Sequence, residues 1–454
     1  MKTRLIIMVL LVMFVRPVFA LGPHEVLVLV NDRSADSAEI AGEYVKLRNI
    51  PEGNVVRLRL PGSNAVPPLE ITPDEFTKFI WEPAVRAVKE RGIGDQILAW
   101  VYSVDFPTTI KFTPQLSILG LTFLRNRYPD MEKTKMGNYV SPLFGGPDGP
   151  SGLALSSQTF DMSRKWLGDE MPLPCMMLGY TGERGTTKDV ALQTLIKGVV
   201  SDGTAPTGTV YFVTSYDVRS TCRAWQYPKA VNELRTLNVA AVITNSFPVG
   251  GQKIIGIMCG TALVNPEEGG NVYLPGSMAE HLTSMAGIFG SDGQTKLTAW
   301  LKAGATASAG TITEPFAVWT KFPCARFYVH YASGCTMIES YYQSIRCPLQ
   351  ILLIGDPLAQ PWASKADVII EGLEKETITG TCSARAEVQG ALKASYRKFE
   401  FLLDGKVAGN DKIFQFDSAK LAEGSHVLRA VAYKTGFVRS QVFGEKKIVV
   451  KREK

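Results

Sequence analysis

Only four histidines occur among the 454 residues, and no C-x-x-C or H-x-x-x-H spacing gathers ligands, so a transition-metal centre has little to build on. The seven cysteines are sparse for this length and odd in number, which excludes a scaffold built on disulfides. The spacing of Cys324, Cys335 and Cys347 permits one bridge in an oxidising compartment. No Lys/Arg-dense segment exists, and phosphate backbones need clustered cations, so nucleic acid is excluded as the main partner. After residue 20 no apolar run is long enough to cross a bilayer. Neither dinucleotide nor P-loop glycine spacing appears: GYTGERGTTKD (179 to 189) reads as a tight strand-to-helix turn.

What is present begins with MKTRLIIMVLLVMFVRPVFA. Lys2 and Arg4 precede an apolar run, and Val18-Phe19-Ala20 has the small-residue pattern that a signal peptidase cuts. Residues 1–20 are therefore read as an export leader, and removing it lowers the formal charge from +6 by its three cations. Export into the bacterial envelope, secreted or periplasmic, follows from that leader.

From residue 24 the hydrophobic period alternates. HEVLVLVN, NVVRLRL, QILAWVYSVD, PCMMLGYT, GTVYFVTS, AAVITNS, KIIGIMCG, ATASAGTIT and QILLIGDP read as strands separated by amphipathic helices, which predicts α/β architecture with mainly parallel sheets. Thr72, Pro73 and Glu75 form a capping box with proline at the first helical position. A Gly/Pro-rich excursion over 107–173 divides the α/β part into a subdomain at 21–173 and a second at 174–363. Over 364–454 the texture changes to short alternating runs between Gly, Asp and Asn turns. Asp404-Gly405 is a hairpin signal, and the segment reads as an immunoglobulin-like β-sandwich.

The stretches LPGSMAEHLTS (274 to 284), WLKAGATASAGTITEP (300 to 315) and LLIGDPLAQP (352 to 361) resemble a family of uncharacterised exported bacterial proteins. In that family a GA-rich strand ending in Glu-Pro and a closing Gly-Asp-Pro-Leu strand recur. At greater distance residues 24–362 are similar to gingipain-type cysteine peptidases. That likeness implies a caspase-like core of two three-layer α/β subdomains, with a histidine after one strand and a cysteine after its neighbour.

The dyad residues are hard to find. Cys259 ends KIIGIMCG, yet no histidine stands in the residues before it that could serve as base. In the other register Cys259 occupies the histidine position, and Ser284 or its neighbours replace the thiol. His281 offers a base from the far side: Ser277 and Glu280 have capping-box spacing, which predicts a helix with His281 in its second turn. Against the Cys259/His281 pair stands Cys259 as a buried small hydrophobe, the usual state of a free cysteine. Glu314 and Asp356 each follow an apolar run. If their strands are parallel, both carboxylates leave the same sheet edge and form an acid/base or cation site with His281; otherwise they are turn residues before structure-breaking neighbours. His330 reads as a packed core histidine, His24 as a solvent-facing residue at the start of the first strand, and His426 and Cys382 as strand residues.

Two function classes follow. One is an exported protein without peptidase activity, whose degenerate caspase-like core lacks a complete Cys-His dyad and which binds a protein or polysaccharide at the envelope, with no cofactor. The alternative is a cysteine peptidase or other hydrolase using Cys259 and His281.

Overall fold

A computed structural model describes residues 18–61 and 68–451; most of the leader, residues 1–17, lies outside the described residues. Ten strands build one sheet. They are β1 (Val26–Asn31), β2 (Val55–Leu58), β3 (Ala99–Tyr102), β4 (Cys175–Met177), β5 (Thr209–Val213), β6 (Ala240–Thr244), β7 (Lys253–Gly260), β8 (Val272–Leu282), β9 (Ala307–Thr311) and β10 (Ile351–Gly355). Their spatial order is β6-β5-β7-β8-β9-β10-β4-β3-β1-β2. Every neighbouring pair is parallel except β9 and β10, which run antiparallel. The sheet therefore consists of two parallel blocks of opposite direction joined at one seam. The two expected α/β subdomains share this sheet, and β4 and β10, from the second segment, lie in the block with β1 to β3.

The strands read as apolar runs because helices cover both faces of the sheet. VLVLV of β1 is buried throughout, and each such aliphatic side chain contributes about 1.5–3 kcal/mol of transfer free energy. Among the helices, α1 (Ala35–Arg48) starts at Ser34, whose hydroxyl accepts from the Ser37 amide, and stops at Asn49 in the left-handed region. Next come α2 (Glu82–Arg91), α3 (Phe160–Leu167), α4 (Lys188–Ser201), α5 (Tyr227–Thr236), α6 (Thr298–Lys302), α7 (Phe327–Ala332) and α8 (Met337–Ser344). The Thr72 capping box forms as the spacing predicts: Thr72 Oγ1 accepts from the Glu75 amide at 3.1 Å, and Glu75 Oε2 accepts from the Thr72 amide at 2.8 Å.

One predicted helix is a strand. The segment around Ser277 and Glu280 belongs to β8, paired in parallel register with β7 from Met278↔Gly256 to Leu282↔Gly260. Residues 277–282 are buried without interruption, so no solvent face exists for a surface helix, and Ser277 Oγ caps nothing. Burial overrides the local capping signal.

After the α/β part, seven strands form two sheets packed face to face: β11 (Asp367–Glu371), β12 (Thr381–Gln389), β13 (Tyr396–Leu403), β14 (Lys406–Gly409), β15 (Ile413–Asp417), β16 (Gly424–Lys434) and β17 (Ser440–Val450). β11, β12 and β15 make one sheet; β17, β16, β13 and β14 make the body of the other, which the two-residue strand Thr377–Ile378 extends by pairing parallel with Val449 and Val450 of β17. Phe401, Leu428, Ala430, Val442 and Ile448 lie in their common core. Asp404 (φ 50°) and Gly405 (φ 83°) turn the β13–β14 hairpin. Val18–Phe19 pairs antiparallel with Val442 and Gln441 of β17, and the buried Ala20 donates its amide to Gln360 Oε1 at 2.9 Å.

All seven cysteines are free thiols, so the bridge permitted among Cys324, Cys335 and Cys347 does not form. Six are buried and Cys222 is half-buried; Cys335 Sγ, for example, lies 3.5 Å from Gln343 Nε2 and 3.6 Å from the Gln158 carbonyl oxygen. No helix among the described residues is long and apolar enough to cross a membrane.

Candidate functional site

Cys259 and His281 stand directly opposite each other on the parallel neighbours β7 and β8. Opposed residues of a parallel pair point to the same face, so the sheet brings the two side chains together. Their chemistry is nevertheless closed off. Trp300 Nε1 donates to His281 Nδ1 at 2.8 Å, which makes Nδ1 an acceptor and places the ring proton on Nε2. Nε2 donates in turn to the Thr295 carbonyl oxygen at 3.0 Å. Both ring nitrogens are occupied, leaving no lone pair for a thiol proton. Burial pushes the imidazole down to about 3, with Arg223 and Lys296 adding to the effect and the Thr295 carbonyl opposing it. Cys259 Sγ turns to the Glu280 carbonyl oxygen at 3.9 Å, and burial pushes its thiol up to about 12. Cys259 packs with Ile257, Tyr273, Ala279 and Trp300 as a small core residue.

The exits of β7 and β8 are also filled. A Cβ on Gly260, the last residue of β7, would sit 2.2 Å from the Arg219 carbonyl oxygen, so backbone occupies the space beside that strand end. Arg223, wholly buried, reaches across to Glu280 of β8, with Nη2 2.7 Å from Oε2 and Nη1 3.0 Å from Oε1, and also donates to the Cys259 carbonyl. Burial pushes the Glu280 carboxyl up while Arg223 opposes the rise. Ser284 lies just past β8, and its carbonyl accepts from Thr311 Oγ1 at 3.2 Å.

The two carboxylates expected to meet do not. Glu314 follows β9 and Asp356 follows β10, and because those strands are antiparallel the residues leave opposite edges of the sheet. Glu314 is exposed and accepts from the Phe316 amide at 2.8 Å, within its own turn. Asp356 is fully buried and held by Arg48, whose Nε lies 3.1 Å from Oδ2; it also accepts from Tyr44 Oη at 3.2 Å and from the Leu358 amide at 3.0 Å. The same guanidinium binds Asp202, which accepts from the Gln360 amide at 2.8 Å. Gly198 of α4 must lack a side chain here, since a Cβ would lie 2.0 Å from Asp356 Oδ2. Arg48, Asp202 and Asp356 thus clamp α1, the end of α4 and β10 together, whereas the His281 ring is held by Trp300 and Thr295.

Of the other histidines, His330 is buried with Nδ1 2.9 Å from Ser157 Oγ, as read from the sequence. His24 is not solvent-facing. It is 2% exposed, because the β-sandwich covers it: Nε2 lies 3.3 Å from Tyr433 Oη and 3.8 Å from Glu400 Oε2. His426 lies on β16 with Nδ1 2.6 Å from Asp404 Oδ2, and Cys382 on β12.

Clefts open on the α/β part, one of about 670 Å³ beside Lys111, Phe112 and Thr313 and one of about 230 Å³ that includes Glu314 and Lys321. Two adjoining clefts lie where α3 and the segment before β1 meet the sandwich. One of about 640 Å³ is lined by Lys165, Arg397, Lys398, Lys412, Lys434 and Arg439, against the acids Asp161, Glu400 and Asp411, with Phe399 and Tyr433 as aromatic walls. A second of about 360 Å³ shares Asp161, Glu400 and Arg439 and reaches His24 and Glu25. Arg439 stacks on Tyr433, its guanidinium 4.6 Å from the ring centre, and binds Glu25 at 2.5 Å; its Nε has no hydrogen-bond partner among the described residues. Sequence reading missed this site because the residues of the larger cleft alone come from four separate segments, near 161, 397, 411 and 433.

No protein-family model and no curated protein sequence matches the chain. Among solved structures, the fibronectin(III)-like modules of CbhA from Clostridium thermocellum align at a TM-score of 0.16 and 20% identity, over 24% of this chain and 54% of that one. The alignment spans about half the length of those modules. The endo-beta-1,4-mannanase from Thermotoga petrophila aligns at a TM-score of 0.17 and 11% identity, over 96% and 95% of the two chains. Such scores carry no argument about fold or function.

Proposed function

We propose that this chain is an exported, non-peptidase binding protein of the bacterial envelope, with a degenerate caspase-like core and an immunoglobulin-like C-terminal domain. The observation that carries the reading is the double engagement of His281 by Trp300 and the Thr295 carbonyl, which removes the base a thiol at Cys259 would need. The parallel neighbours β7 and β8, whose ends hold Cys259 and His281, support the resemblance to the gingipain-type layout. The filled space beside Gly260 supports loss of the peptidase function.

Binding is assigned to the cleft between the core and the C-terminal domain, since such junctions are where concave sites gather. Its six cations outnumber its three acids, and two aromatic rings line it. That chemistry suits a polyanionic polysaccharide, whose carboxylates pair with the exposed Arg397 and Lys398 while a sugar ring lies on the half-buried Phe399.

Two measurements test the proposal. Iodoacetamide at neutral pH leaves Cys259 unlabelled in the folded chain and labels it after denaturation; fast labelling that vanishes in His281→Ala would restore the peptidase reading. In affinity electrophoresis, polygalacturonate retards the native chain and not the Arg397→Glu/Lys398→Glu variant. No retardation of the native chain, or equal retardation of the two when each is compared with its own mobility without polymer, would refute the assigned cleft.

A further inference from the structure

The two edges of the ten-stranded sheet are built differently. At the β2 edge, Arg57 is exposed and reaches Asp32 at 3.4 Å. The β13–β14 turn lies close to the chain entering that strand, for a Cβ on Gly405 would meet Pro51 Cβ at 2.3 Å. A charge and a covering turn are the usual means by which a sheet edge is kept from pairing with another chain.

The β6 edge has neither. Its sequence, AAVIT, contains no charge, proline or glycine. Among the described residues the strand pairs with β5 alone, so one side of its backbone is open there. Val242 is 38% and Ile243 41% exposed, and as successive residues they show apolar surface on both faces. At its carboxyl end, where Thr214 donates to the Thr244 carbonyl at 2.7 Å, Tyr216 and Val218 add further exposed apolar surface at 105% and 57%. An uncharged, β-prone edge of this kind is a template for a further strand.

We propose that β6 pairs antiparallel with β6 of a second copy of this chain across a two-fold axis at Val242, joining the two sheets into one. The strand is complementary to itself in that register. Val242 meets Val242 as a β-branched pair, while Ala241 meets Ile243 and Ala240 meets Thr244, so alanines face the larger side chains beside that pair and no charge meets a like charge. A two-fold contact closes on itself and leaves neither copy with an open β6 edge. The inference rests on the sheet edge and is independent of the ligand assigned to the cleft.

Sedimentation velocity of the exported chain at micromolar concentration gives a dimer. Val242→Lys sets two ammonium groups across the axis and weakens that dimer about 100-fold or more, with an unchanged circular-dichroism spectrum. Val242→Cys provides the positive arm, because opposed residues of an antiparallel pair have Cα atoms about 4.5–5.5 Å apart, within disulfide reach. Mild oxidation therefore links that variant as a dimer on a non-reducing gel, whereas Val249→Cys, beyond the strand, stays unlinked. A monomeric native chain would leave the edge to a foreign strand and overturn the proposal. A dimer that survives Val242→Lys, with no link in Val242→Cys, would overturn it by placing the contact elsewhere.

Discussion

Arg48→Met is the most informative perturbation of the core. Arg48, Asp202 and Asp356 are all within 3% of full burial, and the guanidinium is the cation shared by both carboxylates. Methionine fills a similar volume but leaves Asp202 with the Gln360 amide, and Asp356 with Tyr44 and the Leu358 amide, as remaining donors. Removing one member of a buried ionic group costs about 3–5 kcal/mol, a large part of a total stability of about 5–15 kcal/mol. Urea unfolding followed by tryptophan fluorescence reads the loss. The triple variant Arg48→Met/Asp202→Asn/Asp356→Asn removes the charges together and recovers most of it, since neutral replacement of a whole buried ionic group is close to neutral in stability. Titration adds a second check. Burial, with Asp356 contributing and Arg48 opposing, holds Asp202 up at about 7, above the ~3.9 of an unfolded chain. The folded state therefore keeps a proton that the unfolded state has lost, and this contribution is full below pH ~4 and disappears as pH rises through 7. Asp356→Asn lowers the Asp202 value by removing a repelling neighbour, so the stability of this variant relative to the native chain rises across that window by at most ~1.4 kcal/mol per pH unit. A loss below about 1 kcal/mol for Arg48→Met, no recovery in the triple variant, or parallel pH profiles would refute the reasoning.

Further expectations concern the sealed pair and its surroundings. Trp300→Phe removes the donor to His281 Nδ1 and costs about 1–3 kcal/mol for the buried acceptor left unpaired, measured by thermal unfolding; a neutral outcome would mean the bond does not hold the ring. Gly260→Ala drives a methyl into the Arg219 carbonyl and destabilises by about 1–3 kcal/mol, and an unchanged melting temperature would show that the strand exit is open. Gly198→Ala displaces the Asp356 carboxylate and lowers the urea midpoint of the chain; full stability in this variant would contradict the tight approach of α4 to β10.

The elements of the fold were legible wherever a local signal and burial agree. Thr72-Pro73-Glu75 capped as its spacing predicts, and apolar runs such as VLVLV and ILLIG became interior strands. Ser277 and Glu280 show the opposite case: their spacing mimics a cap, but both are buried on a strand and Glu280 is committed to Arg223. Strand direction is not written in composition, so the antiparallel seam between β9 and β10, which separates Glu314 from Asp356, could not be read in advance. The Arg48 clamp joins residues 154 and 308 positions apart, a coupling invisible to any local pattern. Local spacing suggests Cys259 and His281 as a pair, but what closes it, the Trp300 and Thr295 contacts, comes from a segment that no local pattern places beside the ring.

The central claim is that the imidazole of His281 is neutral, protonated on Nε2 and unable to accept a proton near neutrality. Two-dimensional 1H–15N NMR of the histidine rings, recorded from pH 8 downward, tests it directly. The account expects His281 to keep the Nε2–H tautomer, with Nδ1 shifted as a hydrogen-bond acceptor, and to show no titration until the fold is lost in acid. A His281 ring that titrates reversibly between pH 5 and 8, or that exchanges between tautomers, would contradict it.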